Sequence, residues 1–211
     1  MATVLIATSN GGKLRDFAAA AAEHGMGVEG LPHFSSLPTV SEDQPTFEAN
    51  ARKKAEHYSR FAPGTIVLGD DSGLEVAALK GAPGVHSARY AAKSGEENAS
   101  DAANNARLLK EMRGVPEGQR AAQFVCVIVV ARDGQALASF RGEAKGTILH
   151  APRGSGGFGY DPLFYFPVLR KTFAELSAAE KAGVSHRGQA FRKFLAWWEK
   201  NCGQGFRTKR E

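Results

Sequence analysis

The sequence predicts an α/β protein in which a mixed, strongly twisted sheet is flanked by helices. Three observations carry this. β-rich, nearly continuous apolar runs, Thr3–Thr8, Thr65–Leu68 and Phe124–Val130, read as buried strands. Segments with apolar residues at helical spacing fall between and after them. Asp133-Gly134, between two apolar runs, signals a hairpin, so hairpin and crossover connections mix.

The elements follow in order. After the first strand, Ser9-Asn10-Gly11-Gly12 breaks the run, and Leu14, Phe17, Ala18 and Ala21 predict a helix ending before Gly25. A second helix is expected from Thr46, after Pro45, towards Phe61. Strand Thr65–Leu68 then leads into Gly69 and Asp70-Asp71-Ser72-Gly73, where the strand is expected to end. Ala103, Leu108, Leu109 and Met112 predict a helix over Ser100–Met112. The hairpin at Asp133 feeds a strand from Gln135 to Phe140, with further strands over Gly146–Leu149 and Leu163–Phe166. Ser177 and Glu180 fit a capping box, and Phe191, Phe194, Leu195 and Trp198 mark the buried side of a last helix, Arg187–Asn201.

The 211 residues, 43% of them hydrophobic, suit one substantial domain or two closely packed lobes with a sizeable core, and exclude disorder. Cys126 and Cys202 lack the spacing of a metal site or redox pair, and Cys126 reads as a core residue. No apolar stretch approaches the roughly 18 residues that span a bilayer. The N-terminus lacks a basic signal-peptide start, so a soluble cytoplasmic protein is expected. A net charge of +5 and an isoelectric point of about 9.3 bring a nucleic-acid-binding module into consideration. Much of the excess lies in residues 203–211, where Arg207, Lys209 and Arg210 cluster; this segment is expected to be a mobile basic tail.

Five segments could carry chemistry. Adjacent carboxylates after a buried strand, Asp70 and Asp71, are costly to desolvate and suit a divalent cation or proton transfer; Asp, Ser and Gly are also turn formers, so a tight turn stays open. Thr8-Ser9-Asn10-Gly11-Gly12-Lys13 joins a glycine loop, a helix start and a cation, as an anion site would, or is an ordinary strand-to-helix turn. Glu42 precedes the second helix, on which Asn50 and Lys54 share a face; a solvated loop and a solvent-facing stripe are the alternatives. Four glycines from Gly154 to Gly159 surround Phe158 and Tyr160 ahead of Asp161, a setting where a ring can stack on a base. Ser185-His186-Arg187-Gly188, with Lys181 before it, opens the last helix and can hold a phosphate or a carbonyl-rich base, or merely cap that helix.

In this order, these segments resemble the inosine triphosphate pyrophosphatase family over nearly the whole chain. The matching stretches are Thr8–Lys13, Thr46-Phe47 with Asn50-Ala51 and Lys54-Ala55, Asp70–Leu74, Gly81–Gly84, Ser87–Tyr90, Gly156–Pro162 and Ser185–Gly188. The resemblance implies one domain of residues 1–211, with an elongated mixed sheet and two lobes around a central cleft, in a homodimer. It implies Mg²⁺-dependent cleavage of ITP, dITP and XTP to the monophosphate and pyrophosphate, cleansing the nucleotide pool. It assigns Asp71 as general base and Glu42, Asp70 and Asp71 as Mg²⁺ ligands. Thr8, Ser9, Asn10, Gly11, Gly12, Lys13 and Lys54 would take the phosphates, and Ser72 would line the pocket. Phe158, Gly159, Tyr160, Asp161, Lys181, His186 and Arg187 would form the nucleoside site. A nucleotide hydrolase of different base specificity on the same scaffold is the alternative within that reading. The chain departs from the family pattern at Ala49, where a Glu is usual and Glu48 stands one place earlier, and at His86, often Tyr.

Overall fold

The structure is a computed structural model and describes residues 3–22, 24–92 and 98–202; the tail at 203–211 lies outside them. The strands are β1 (Thr3–Ile6), β2 (Gly27–Gly30), β3 (Val67–Val76), β4 (Ala121–Arg132), β5 (Gln135–Ile148), β6 (Phe164–Phe166) and β7 (Lys171–Thr172). The helices are α1 (Gly11–Ala22), α2 (Phe47–Tyr58), α3 (Asp101–Glu111), α4 (Ala178–Val184) and α5 (His186–Asn201). The strands form one mixed seven-stranded sheet in the order β2-β1-β3-β4-β5-β6-β7. β1 runs parallel to β2 and β3, while β5–β6 and β6–β7 are antiparallel. The expected α/β class is therefore observed. Among the described residues, no helix is long and apolar enough to cross a membrane.

Two strands are longer than the sequence suggests. β5 is continuous from Gln135 to Ile148, not two strands, and it is entered by the expected turn, with positive φ at Asp133 and Gly134. β3 does not end at Leu68: it carries Asp70, Asp71, Ser72 and Gly73 in its middle and continues to Val76. The tight-turn reading is overturned. β3 pairs with β1 at Val67 and Leu68 and with β4 on its other edge, so its ladder pairing outweighs the local turn preference of Asp, Ser and Gly. Neither Gly69 nor Gly73 has the positive φ that a glycine turn would require.

The chain divides into two compact units. The first comprises Met1–Asp71, Cys126–Gly142 and Ala182–Glu211; the second comprises Ser72–Val125 and Glu143–Lys181. In the first, Val4, Ile6, Leu68, Cys126, Ile128 and Val130 of the strands pack with Phe17 of α1 and Phe191, Phe194, Leu195 and Trp198 of α5. The helical residues are those whose spacing predicted the buried faces. In the second, Phe124, Phe164 and Phe173 form a ring cluster, with centroids 4.6 Å (124–164), 4.8 Å (164–173) and 5.7 Å (124–173) apart. Arg120 is also buried there, its guanidinium donating to the carbonyls of Met112, Val115, Ile148 and Leu149. Four carbonyl acceptors replace the water that a buried cation loses.

Candidate active site

The predicted residues fall into one set in each unit. In the first unit the alternation of β3 sorts them. Successive side chains of a strand point to opposite faces, so Leu68 and Asp70 share one face while Val67, Gly69 and Asp71 share the other. Leu68 joins the α1 and α5 core, and Asp70 Oδ2 lies 2.8 Å from Lys13 Nζ of α1. Val67 packs with Tyr58 of α2. Gly69 explains how α2 comes so close to that face: a Cβ there would lie 2.5 Å from the Ala51 carbonyl oxygen and 2.6 Å from the Ala55 nitrogen. Asn50 and Lys54 of α2 then reach Asp71, with Asn50 Nδ2 donating to Asp71 Oδ2 at 3.1 Å and Lys54 Nζ 3.9 Å from Asp71 Oδ1.

Asn50 and Lys54 are buried, so the solvent-stripe reading of that helix face is excluded. Nor is Glu42 a freely solvated loop carboxylate. Its Oε1 accepts from Lys54 Nζ at 3.1 Å, while the neighbouring Lys53 donates to Ser41 and Asp43. Asn50 Oδ1 accepts from the Gln44 N–H and closes the same loop. Glu48, in contrast, is exposed beside Arg52 and takes no part. Glu42 and Asp71 thus meet at one ammonium, and Asp70 is held by another. Among the described residues no cluster of three or more Asp, Glu, His or Cys side chains is gathered as a metal cage.

The two aspartates differ electrostatically as well as in facing. Burial pushes Asp70 upward, but the charges of Lys13, Lys54 and Arg187 and the Lys13 hydrogen bond outweigh it and hold the carboxyl below its ordinary value. Burial dominates at Asp71, with Glu42 adding to it against Lys54, Lys13 and Asn50, and the carboxyl is pushed up to about 6. Lys54 is held charged: burial opposes the ammonium, but Asp70, Asp71 and Glu42 more than compensate. One aspartate is thus a fixed charge, and the other can exchange a proton near neutrality.

The first loop is shorter than its glycines suggest, because α1 begins at Gly11. Asn10 acts as its cap, its side chain accepting from the Lys13 N–H at 3.1 Å, and Thr8 Oγ1 accepts from the Asn10 N–H. Gly11 and Gly12 thus occupy the first helical turn, where amide groups are free of intrahelical partners and favour an anion. Ser9 and Asn10 are exposed beside it. Ser185 caps α5 by accepting from Gly188 N–H, which buries His186 and Arg187 in the first turn. Arg187 reaches Asp16 Oδ2 at 3.1 Å. Sequence reasoning missed Asp16; its position three residues after Lys13 on α1 was the available signal.

In the second unit, Asp161 organises the glycine loop. Its Oδ2 accepts from the Phe158 N–H at 2.9 Å and from Lys181 Nζ at 2.7 Å. Gly157, with φ +71°, permits this, since a Cβ there would lie 2.1 Å from the same carboxylate oxygen. Lys181 Nζ also sits 4.9 Å from the Phe158 ring centroid, a cation–π contact. Phe158 is half-buried, whereas Tyr160 is turned inward and donates its hydroxyl to the Ser87 carbonyl. Tyr160 therefore braces the loop. Ser72 lies in β3, half-buried, not in a turn.

One unit of this α/β protein thus carries a helix start with Lys13, the buried Lys54 and two carboxylates of unequal proton affinity, and the other carries an aromatic loop held by Asp161 and Lys181. The family model that matches is the Ham1 family, over residues 4–197, and the chain belongs to that family. It is 50% identical to the dITP/XTP pyrophosphatase of Acidobacterium capsulatum, over 92% of this chain and 97% of that one. It is 47% identical to that of Geobacillus kaustophilus, over 99% and 100%. Among solved structures, the Staphylococcus aureus Ham1 protein matches with a TM-score of 0.78 and 40% identity, over 94% of this chain and 98% of that one. A HAM1 protein from Coxiella burnetii gives 0.79 and 36%, over 95% and 100%.

Proposed function

We propose that this chain hydrolyses noncanonical purine nucleoside triphosphates, dITP, XTP and ITP, to the monophosphate and pyrophosphate. The observation that carries the mechanism is Asp71, buried between Asn50 and Lys54 with its carboxyl pushed up to about 6. A base whose proton affinity lies near the working pH can take a proton from water and still be ionised often enough to do so. Asp71 accepts that proton as the water oxygen bonds to phosphorus. The bridging bond between the α- and β-phosphates breaks, and its electron pair leaves with pyrophosphate. Asn50 fixes the orientation of the carboxylate.

The triphosphate carries several negative charges, and Lys13, Lys54 and the amides of Gly11 and Gly12 supply the opposing field. Glu42 and Asp71, which meet at Lys54 Nζ, offer the hard carboxylate oxygens that suit Mg²⁺. Held by such carboxylates, the ion would neutralise phosphate charge. Asp70, the third expected ligand, faces the other side of β3, where it engages Lys13 and holds that lysine in place. Phe158 offers its face to the base, and the cations Lys181 and Arg187 suit a 6-oxo acceptor, which adenine lacks. The homodimer is part of the same proposal. The test incubates the chain with dITP, XTP, ITP, dATP and dGTP, with and without Mg²⁺, and measures pyrophosphate and phosphate separately. Pyrophosphate release that favours dITP, ITP and XTP and requires the ion is expected. Equal turnover of all five, or phosphate as the product, overturns the proposal.

A further inference from the structure

The loop that carries Phe158 is gripped from a second side, by α3. Asp101 and Asn105 stand four residues apart on one face of that helix. Asp101 Oδ2 accepts from the Gly159 N–H at 2.6 Å, and Asn105 Nδ2 donates to the Gly159 carbonyl at 2.9 Å. The two bonds hold the peptide groups on either side of the Gly159 Cα, which has φ +61°. Asn105 Oδ1 is shut off from solvent and finds no donor among the described residues, so its amide is committed to Gly159. The grip acts on the ring next door. Asp161 holds the Phe158 N–H, and Asp101 holds the N–H of the residue after it, so the backbone of Phe158 is fixed at both ends, by a carboxylate of the loop itself and by one of α3.

We infer that Asp101 and Asn105 are positioning residues for purine selection: they set the attitude of the Phe158 ring against the base without touching substrate. The inference rests on Phe158 being the base platform, and its test is arranged to separate the two. Wild type is first assayed on dITP, XTP, dATP and dGTP, which tests the base site alone. Asp101→Ala and Asn105→Asp are then compared with it. Asn105→Asp removes the donor to Gly159 while leaving Asp101 at the start of α3, where a carboxylate also favours the helix. Each variant is expected to raise KM for dITP about tenfold, the worth of one lost hydrogen bond, and to narrow the preference over dGTP with kcat little changed. Asp101→Asn keeps an acceptor oxygen and should recover most of both losses. A uniform fall in kcat with KM and preference intact would mean a merely structural role and overturn the inference. Hydrogen exchange gives a readout independent of substrate: the Gly159 amide should exchange faster in Asp101→Ala than in wild type. Unchanged exchange overturns the clamp even if wild type shows no base preference, a result that would itself refute only the base-site reading.

Discussion

The charged set on β3 and the aromatic loop of the other unit solve opposite problems. Around Asp70 and Asp71, buried charges are incompletely balanced: Glu42 and Asp71 share Lys54, and Asp71 retains a raised proton affinity. Around Phe158, apart from Asn105 Oδ1, the donors and acceptors named above close on one another: Asp161 with Lys181 and the Phe158 N–H, Asp101 and Asn105 with Gly159, Tyr160 with Ser87. The first arrangement leaves charge available to a reacting group. The second spends its polar groups on holding a shape. Chemistry is therefore expected to respond to charge at the first, and substrate choice to geometry at the second.

The largest effect should come from Asp71→Asn, which keeps the side-chain volume and an acceptor for Asn50 but removes the base. Turnover of dITP should fall by about 10²–10⁴-fold, the usual contribution of a positioned general base, with KM changing far less. Steady-state kinetics on the purified variant decide it, and near-normal kcat would return both units to the same role.

The counterpart in the loop is Lys181→Met. It removes the cation from a pair whose side chains are only 6% and 3% exposed, leaving Asp161 buried without that charge. Breaking one side of a buried pair costs about 3 kcal/mol or more, so urea unfolding should show a large drop in midpoint. The activity that survives should have lost base preference more than turnover. A variant with unchanged preference but collapsed kcat would erase the contrast between shape and chemistry.

Much of this contrast was legible in the sequence, and the parts that were not have a common cause. The buried runs, the buried face of α5 and the Asp133-Gly134 hairpin are local signals, and they appear where periodicity placed them; on α1 and α3 Phe17, Ala21, Leu108 and Met112 are buried as expected, but Ala18 and Ala103 are exposed and Asn104 is buried instead. The capping box at Ser177 and Glu180 is present in both directions. Asp70-Asp71-Ser72-Gly73 misled because its turn chemistry is local, whereas the strand that keeps it extended is set by pairing with neighbours distant in sequence. β2 was missed because Gly27 and Gly30 leave it almost no strand signature. Asp16 with Arg187 and Asn105 with Gly159 lie 171 and 54 residues apart, respectively, and only the folded chain brings such partners together.

A smaller effect sharpens the electrostatic half of the comparison. The Asp71 carboxyl is raised from 3.8 to about 6 on folding, so between these values the folded chain binds more protons than the unfolded one. Stability from this group is greatest below pH 3.8 and is lost as pH rises through about 6. At pH 7 the ionised, desolvated carboxylate then costs about 2–3 kcal/mol, at 1.4 kcal/mol per unit of pKa. Asp70 titrates with the opposite sign because its value is lowered, but it is present in both proteins and largely cancels in their difference. Asn at position 71 carries no such cost, and the raised value of Asp71 already includes the opposing attraction of Lys54. Melting temperatures of wild type and Asp71→Asn should therefore nearly coincide at pH 4 and diverge by pH 7, with the inactive variant the more stable by about 2–3 kcal/mol. A gap that closes on going from pH 4 to pH 7 would mean that Asp71 is stabilised as a charge, and that the proton-exchanging member of the pair has been assigned to the wrong face of β3.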